Sequence, residues 1–157
     1  MSFAYRLESR RIKEPDFPYD AHRTLNSPET VVAFAHELQN SDIEKMIVIY
    51  LDQRNHLLGI TIQPGSIDRS IIYPREIAKH TLLAGAASVV LVHNHPSGDP
   101  GPSLDDKNLT SVIENALALL GIRLLDHIIL GIDGKYSSFT EAGLIKPTQA
   151  NGQPRLV

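Results

Sequence analysis

The chain has 157 residues, of which 42% are hydrophobic and 21% are charged, a composition typical of one folded globular domain and not of a disordered chain. Its net charge of -3 lacks the chain-wide basic excess of a dedicated DNA-binding domain, and the absence of cysteine excludes disulfide scaffolds, thiolate zinc sites and cysteine nucleophiles. The sequence shows no signal peptide and no apolar run near the about 20 residues of a membrane span, so we expect a cytoplasmic protein without membrane contact.

The first half of the chain predicts an irregular arm, a helix and two strands. The arm is expected at residues 1–26, with an edge strand at Phe3–Ile12 followed by a stretch that contains two prolines. Ser27-Pro28-Glu29 combines an N-cap residue, a proline at the first helical position and an acid, and so predicts a helix start, with the helix ending near Gln39. The uninterrupted apolar run Met46–Leu51 predicts a buried strand, and a second strand is expected near His56–Gln63.

The second half alternates between helix and strand signals. In order, it predicts a helix opening at Pro74, a strand at Ser88–Val92, a glycine- and proline-rich loop at His93–Pro102, a helix capped by Ser103 and ended by Gly121, a strand within Ile122–Ile132, an Asp133-Gly134 hairpin turn and a strand at Lys135–Phe139. This order predicts an α+β domain, a mixed sheet flanked by helices, over residues 27–145, with a tail at 146–157.

Two histidines at the end of a predicted buried strand are the candidates for chemistry. His93 and His95 are two residues apart, so their side chains point to the same face of a strand and can converge on one ion. Asp106 lies three residues after the N-cap Ser103, on the inward face of the predicted helix, and is aimed back at the strand end. Two histidines and one carboxylate can bind zinc and leave its fourth position for water, which is the arrangement of a catalytic zinc site.

A general base should stand near that water, because zinc lowers the pKa of a bound water to about 7. The sequence offers three acids, Glu44, Asp52 and Glu76. Glu44 precedes the strand Met46–Leu51 at the same parity as Met46 and Val48. Spacing alone does not choose among the three.

Simpler interpretations compete with the metal site. Ser103 and Asp106 form an S-x-x-D capping box, which needs no metal. A single His-x-His pair is often incidental, and a loop rich in glycine and proline is often a plain turn. The coincidence of a histidine pair ending a buried strand, a stiff loop and an inward acid favours the metal site.

The remaining histidines and cations have simpler interpretations. His127 lies in an apolar strand and is interpreted as a core histidine with satisfied hydrogen bonds. Surface or structural roles are expected for the other histidines, His22, His36, His56 and His80. Arg10, Arg11 and Lys13 are interpreted as a solvated arm, with nucleic-acid contact as the alternative.

At the histidine pair the sequence resembles a known family. The run His93-Asn94-His95-Pro96-Ser97-Gly98-Asp99-Pro100, followed by Pro102-Ser103 and Asp106, resembles the signature of the RadC-type JAB domain, a branch of the JAMM/MPN+ metalloproteins. The JAMM pattern of a glutamate, then H-x-H, ten residues and an aspartate is matched in full, including its serine. The resemblance covers roughly Ser27 to Ile145 and extends to Leu51-Asp52, Tyr73-Pro74-Arg75-Glu76, Leu125-Asp126-His127 and Ser138-Phe139.

The resemblance implies a role for each matching residue. His93, His95 and Asp106 would be the zinc ligands, Glu44 the general base, and Ser103 the serine that helps to stabilise the developing oxyanion. The implied fold is the JAB/MPN fold, which is similar to that of cytidine deaminases. The implied activity is that of a zinc-dependent metallopeptidase or isopeptidase, which cleaves an amide bond in a peptide or protein substrate.

Other functions remain as alternatives. Longer RadC-type proteins carry a helix-hairpin-helix region and are linked by name to DNA repair, whereas only about 26 residues precede the first predicted helix here. The chain is therefore interpreted as the short, JAB-only form, with a DNA-associated accessory role as one alternative and a non-catalytic binding module as another. Zinc deaminase chemistry is excluded because it needs a P-C-x-x-C motif and the chain has no cysteine. Neither the substrate nor the oligomeric state can be predicted.

Overall fold

A computed structural model describes residues 23–64 and 74–145 of the chain. Its helices and strands are α1 Pro28–Ala35, β1 Lys45–Leu51, β2 Leu57–Pro64, α2 Pro74–Ala84, β3 Ser88–Asn94, α3 Leu104–Ala118, β4 Arg123–Leu130 and β5 Tyr136–Ser138. The edge strand predicted at Phe3–Ile12, most of the predicted arm at 1–26 and the tail predicted at 146–157 lie outside the described residues. Within the described parts, no helix is long and apolar enough to cross a membrane.

The five strands form one mixed sheet in the order β2-β1-β3-β4-β5. Strand β1 is antiparallel to both β2 and β3, β3 and β4 are parallel, and β5 returns antiparallel to β4. Two parallel neighbours need a crossover connection, and α3 supplies it between β3 and β4. The carboxyl end of β3 therefore leads through a loop directly into the first turn of α3. The α+β prediction, a mixed sheet with helices packed on it, is confirmed.

Helices cover both faces of the sheet. Helix α1 packs on one face, against alternate residues of the central strands such as Ile47 and Val92. Helices α2 and α3 pack on the other face, against residues of opposite parity such as Met46 and Leu91. A strand that is buried on both faces carries a continuous apolar run instead of an alternating pattern. Because every residue of Met46–Leu51 is buried, this strand is apolar throughout.

Two predicted boundaries are wrong. The first α-helix ends at Ala35 and continues as one 3₁₀ segment, His36–Asn40, because no glycine or proline stops the chain and a tighter turn satisfies part of the helix end. The strand predicted to end at Val92 continues to Asn94, since His93 and Asn94 keep their places in the ladder with β1 and β4. His93 is thus a buried strand residue and not part of the loop.

Candidate metal centre

The last residues of β3 place the two histidines. His93 pairs across the ladder with Met46 of β1 and with Ile129 of β4, and its side chain is 1% exposed. The backbone N–H of His95 donates to Leu130 O at 3.0 Å, which extends the strand direction by two residues. Both imidazoles therefore emerge on the face of the sheet that α3 covers, as the His-x-His spacing predicts.

The loop after His95 is fixed against the end of β4. Gly98 accepts a hydrogen bond from Ile132 N at 3.2 Å, and a Cβ on Gly131 would stand 2.5 Å from Gly98 O, so only glycine permits this approach. Gly98 itself has φ 83°, in the left-handed region. The fixed loop brings Asp99 O within 2.8 Å of His95 Nδ1, and this carbonyl orients the second imidazole.

The first turn of α3 carries Asp106 to the same place. Ser103 and Asp106 form the predicted capping box, in which Asp106 Oδ2 accepts from Ser103 N at 2.8 Å and from Ser103 Oγ at 2.6 Å. The same carboxylate faces the histidines, with Oδ1 at 3.3 Å from His93 Nε2 and Oδ2 at 3.4 Å from His95 Nε2. The capping box is therefore confirmed, and the same carboxylate also faces both histidines. The role of Asp106 as a metal ligand stays a prediction.

Glu44 is the acid that joins the histidines. One carboxylate oxygen of Glu44 and one ring nitrogen each of His93 and His95 lie within 4.8 Å of one another. The antiparallel register explains this, because Met46 pairs with His93 and the same register continued outward brings Glu44 opposite His95. Glu44 is exposed, whereas Asp106 is buried.

The other two candidate bases lie elsewhere. Asp52 follows the opposite end of β1, where its carboxylate accepts from the backbone N–H of Arg54 at 2.7 Å and of His56 at 2.8 Å. Glu76 in the first turn of α2 forms ion pairs with Arg75 at 3.1 Å and with Lys79 at 3.4 Å. Among the three acids that spacing left open, Glu44 is the one whose carboxylate groups with the histidines.

Asn94, the residue between the histidines, was given no role by the sequence. Its side chain is 1% exposed; its Oδ1 accepts from Lys45 N at 2.8 Å, and its Nδ2 donates to Ser41 O and Ile43 O, both at 3.1 Å. These three bonds hold the backbone on both sides of Glu44. The available signal was a buried amide at the opposite parity from the histidines, but the partner segment is 49 to 53 residues away and no local pattern names it.

His127 is buried and hydrogen-bonded, as its interpretation as a core histidine predicts, but its partner is a candidate ligand. Its Nε2 lies 2.7 Å from His93 Nδ1, and its Nδ1 lies 2.6 Å from Thr110 Oγ1. Burial, and next the positive charge that His93 can carry, hold the pKa of His127 well below its ordinary value, so this imidazole is neutral at pH 7. No sequence signal joins Thr110 to the site.

The pKa values of Asp106 and His95 are shifted in opposite directions. Burial raises the pKa of Asp106, but its contacts with the imidazoles of His93 and His95 and its hydrogen bonds from Ser103 outweigh burial and hold that pKa far below its usual range. The adjacent carboxylate of Asp106 raises the pKa of His95 above its ordinary value, against the opposing effect of burial. The site therefore holds a fixed negative charge beside two imidazoles and attracts a cation.

The donor set fits a zinc ion. Since Asp99 O can only accept, His95 Nδ1 is the donor, and Nε2 of the neutral ring carries a lone pair. His93 Nε2 and His95 Nε2 lie 3.0 Å apart, and the carboxylate oxygens lie at 3.3 and 3.4 Å from them. Ligands about 2.0–2.1 Å from a tetrahedral zinc are separated by about 3.3 Å, so these distances suit that ion, and imidazole with carboxylate is a ligand set it accepts.

Ser103 occupies the place that the family pattern requires, but its hydroxyl is already engaged. Its proton is donated to Asp106 Oδ2 at 2.6 Å, and its oxygen accepts from Asp106 N at 3.0 Å. In this structure Ser103 fixes the carboxylate of Asp106, and the oxyanion role stays a prediction.

Comparison with known proteins identifies the family of the chain. The family model of the RadC-like JAB domain matches residues 25–144. A UPF0758 protein of Methanosarcina mazei is 41% identical over 132 residues, which are 83% of this chain and 57% of that protein. A UPF0758 protein of Pelobacter propionicus is 38% identical over 146 residues, which are 92% of this chain and 60% of that protein.

A third relative, a UPF0758 protein of Stenotrophomonas maltophilia, is 41% identical over 133 residues, which are 83% of this chain and 55% of that protein. The chain thus spans between 55% and 60% of the length of these three relatives. The matched region contains both histidines, both acids of the site and the loop between them. The chain belongs to the RadC-like JAB domain family.

Proposed function

We propose that the protein is a zinc-dependent hydrolase that cleaves an amide bond in a peptide or protein, as a metallopeptidase or isopeptidase. The observation that carries the proposal is the convergence of two imidazole Nε2 atoms and a buried carboxylate, with a second, exposed carboxylate within reach. Membership of a JAB domain family supports the hydrolase class. His93, His95 and Asp106 would hold the zinc.

The two acids divide the work because their surroundings differ. Asp106 is 8% exposed and is fixed by Ser103 through three hydrogen bonds, which suits a ligand that must not move. Glu44 is exposed, so it can exchange protons with water and with an incoming substrate. A general base needs this freedom together with a fixed backbone, and Asn94 provides the fixed backbone.

Bound zinc would supply an activated water and polarise the carbonyl under attack. Glu44 would accept the proton that this water releases and deliver it to the leaving amine. The side chain of His95 is 17% exposed, against 1% for His93, which favours entry of substrate from the side of His95 and Glu44.

The proposal is tested by metal content and by hydrolysis together. Purified protein should hold about one zinc per chain by elemental mass spectrometry, as expected for one site, and Asp106→Asn should lose it. Glu44→Gln should keep the zinc but lose cleavage of a peptide library, while Glu76→Gln serves as a matched control with full cleavage. Failure to bind supplied zinc, or cleavage that persists at the wild-type rate in Glu44→Gln, would overturn the proposal.

The alternative functions have less support. The DNA-associated role rests on the naming of the family and on Arg10, Arg11 and Lys13, which lie outside the described residues. A non-catalytic binding module would have no need for two converging imidazoles beside a buried carboxylate. We therefore advance no second function.

A further inference from the structure

A buried hydrogen-bond chain lies behind His93, on the side away from the predicted zinc. It runs from His93 Nδ1 to His127 Nε2 at 2.7 Å, from His127 Nδ1 to Thr110 Oγ1 at 2.6 Å, and from Thr110 Oγ1 to Asp106 O at 2.6 Å. His127 is 0% exposed and Thr110 2%. The chain thus begins at one predicted zinc ligand and ends at the backbone of another.

The direction of every proton in this chain is fixed by its last member. A carbonyl oxygen can only accept, so the single hydroxyl proton of Thr110 is donated to Asp106 O. Thr110 Oγ1 must then accept from His127 Nδ1, and an imidazole that donates from Nδ1 as its one N–H accepts at Nε2. His93 Nδ1 is therefore the donor to His127, and His93 Nε2 carries a lone pair directed at His95 and Asp106.

We propose that Thr110 and His127 are positioning residues that hold His93 in the one tautomer able to bind a metal. The inference rests on the proposed function, because it concerns the same site. In the other tautomer a proton on His93 Nε2 would stand in the gap of 3.0 Å to His95 Nε2 and block the ligand atom. Outer partners that orient a ligating histidine typically change metal affinity by about 10- to 100-fold when removed.

If the hydrogen-bond chain behind His93 only stabilised the fold, a different result would be expected. The hydroxyl of Thr81 in α2 donates to Ile77 O at 2.6 Å and Thr81 is 0% exposed, so it matches Thr110 in bond, spacing and burial. Thr110 differs because its oxygen also accepts from an imidazole. If burying a hydroxyl were the whole function, Thr110→Val and Thr81→Val would behave alike.

The test compares Thr110→Val with Thr81→Val in the full chain, using zinc and a competing chelator. We expect Thr110→Val to lower zinc affinity by about 10- to 100-fold and Thr110→Ser to restore it. Thr81→Val should bind zinc as the wild type does, although both valine variants lose thermal stability. Two-bond ¹H–¹⁵N spectra of the metal-free protein at about pH 8, above the ordinary imidazole pKa, should show Nδ1–H on both His93 and His127.

The outcomes separate this inference from the proposed function. If the wild type binds zinc and Thr110→Val binds it equally well, the positioning role is wrong and the zinc site stands. If the wild type does not bind supplied zinc, both fall. Should Thr110→Val fail to fold, the wild-type spectrum still decides, because Nε2–H on His93 would overturn the proposed direction of the chain.

Discussion

Asp106 in α3 and Asp126 in β4 are buried to the same degree, 8% and 7% exposed, but they face different partners. Asp126 Oδ1 accepts from the backbone N–H of His127 at 2.8 Å and of Thr140 at 3.0 Å, and its Oδ2 accepts from Ser138 Oγ at 2.6 Å. Every partner is a neutral donor. Asp126 therefore fastens the end of the β4–β5 hairpin and needs no ion.

Asp106 is satisfied on one side only. Its Oδ2 accepts two hydrogen bonds from Ser103, while its Oδ1 faces His93 Nε2 at 3.3 Å. If the hydrogen-bond chain behind His93 runs as proposed, that nitrogen carries a lone pair and cannot donate. A buried carboxylate whose neighbours are all hydrogen-bond donors has a structural role, whereas a buried carboxylate that faces lone pairs is a candidate ligand for a cation.

The largest expected effect comes from removing the charge of Asp106. Structural zinc sites with four protein ligands bind the ion with a free energy of about 10–16 kcal/mol, or about 2.5–4 kcal/mol per ligand. On that scale, the loss of one ligand in Asp106→Asn should weaken zinc binding by about 100- to 1,000-fold. Asp126→Asn is the matched control, an equally buried aspartate changed in the same way, and should bind zinc as the wild type does. Competition with a chelator measures both. Equal losses in the two variants would show that the contrast between these aspartates is not one of function.

The next effect should appear in stability alone. Asp126→Ala leaves two backbone N–H groups and one hydroxyl without their acceptor, and should lower the free energy of unfolding by about 3 kcal/mol. Urea denaturation of the metal-free protein gives the value. If the free energy of unfolding falls by less than about 0.5 kcal/mol, the size of an ordinary surface substitution, then water satisfies the donors around Asp126 as well as its carboxylate does.

A smaller effect is expected where Asn94 holds the segment of Glu44. Asn94→Ala removes three hydrogen bonds and should lower the free energy of unfolding by about 2 kcal/mol, with faster amide exchange at Lys45. Its side chain points away from the face that carries the imidazoles, so zinc affinity should change little. Asn115→Ala, the same substitution on the exposed surface of α3, is the control. Unchanged exchange at Lys45 would show that the segment is held by other contacts.

Local patterns predicted where the candidate ligands lie better than they predicted the residues that contact those ligands. The apolar run at Met46–Leu51, the His-x-His pair and the capping box around Asp106 each depend on neighbours within a few residues, so the sequence displays them. The choice of Glu44 over Asp52 and Glu76 depends on the antiparallel register that pairs Met46 with His93, which no spacing reveals, and it came only from family resemblance.

The hydrogen-bond chain behind His93 could not be predicted from the sequence. His127 stands opposite Leu91 in the parallel register of β4 and β3, and reaches His93 across 34 residues of sequence. Thr110 joins from α3, 17 residues before His127. Strand register and helix placement create these contacts, and both are properties of the assembled fold. A buried histidine in an apolar strand predicts that a partner exists but does not name it.

The smallest effect is expected at Asp52, which extends the comparison of carboxylates to the far end of β1. The backbone N–H of His56 and that of Arg54 hold the pKa of Asp52 below its ordinary value. A carboxyl with a lowered folded-state pKa stabilises the fold above its unfolded pKa of about 3.9, and this contribution is lost as the pH falls through the lower, folded value. Asp52→Asn should therefore be less stable than the wild type near neutral pH, and the difference should shrink below about pH 4.

Urea denaturation of both proteins between about pH 7 and pH 3 measures this difference in the free energy of unfolding. A gap that does not narrow with acid would mean that the loss does not come from the charge of Asp52, and equal stability at every pH would mean that the side-chain oxygen kept by asparagine is sufficient for the turn. Zinc affinity at neutral pH should be equal in the two proteins, because this carboxylate already has its donors and lies at the opposite end of the strand from Glu44.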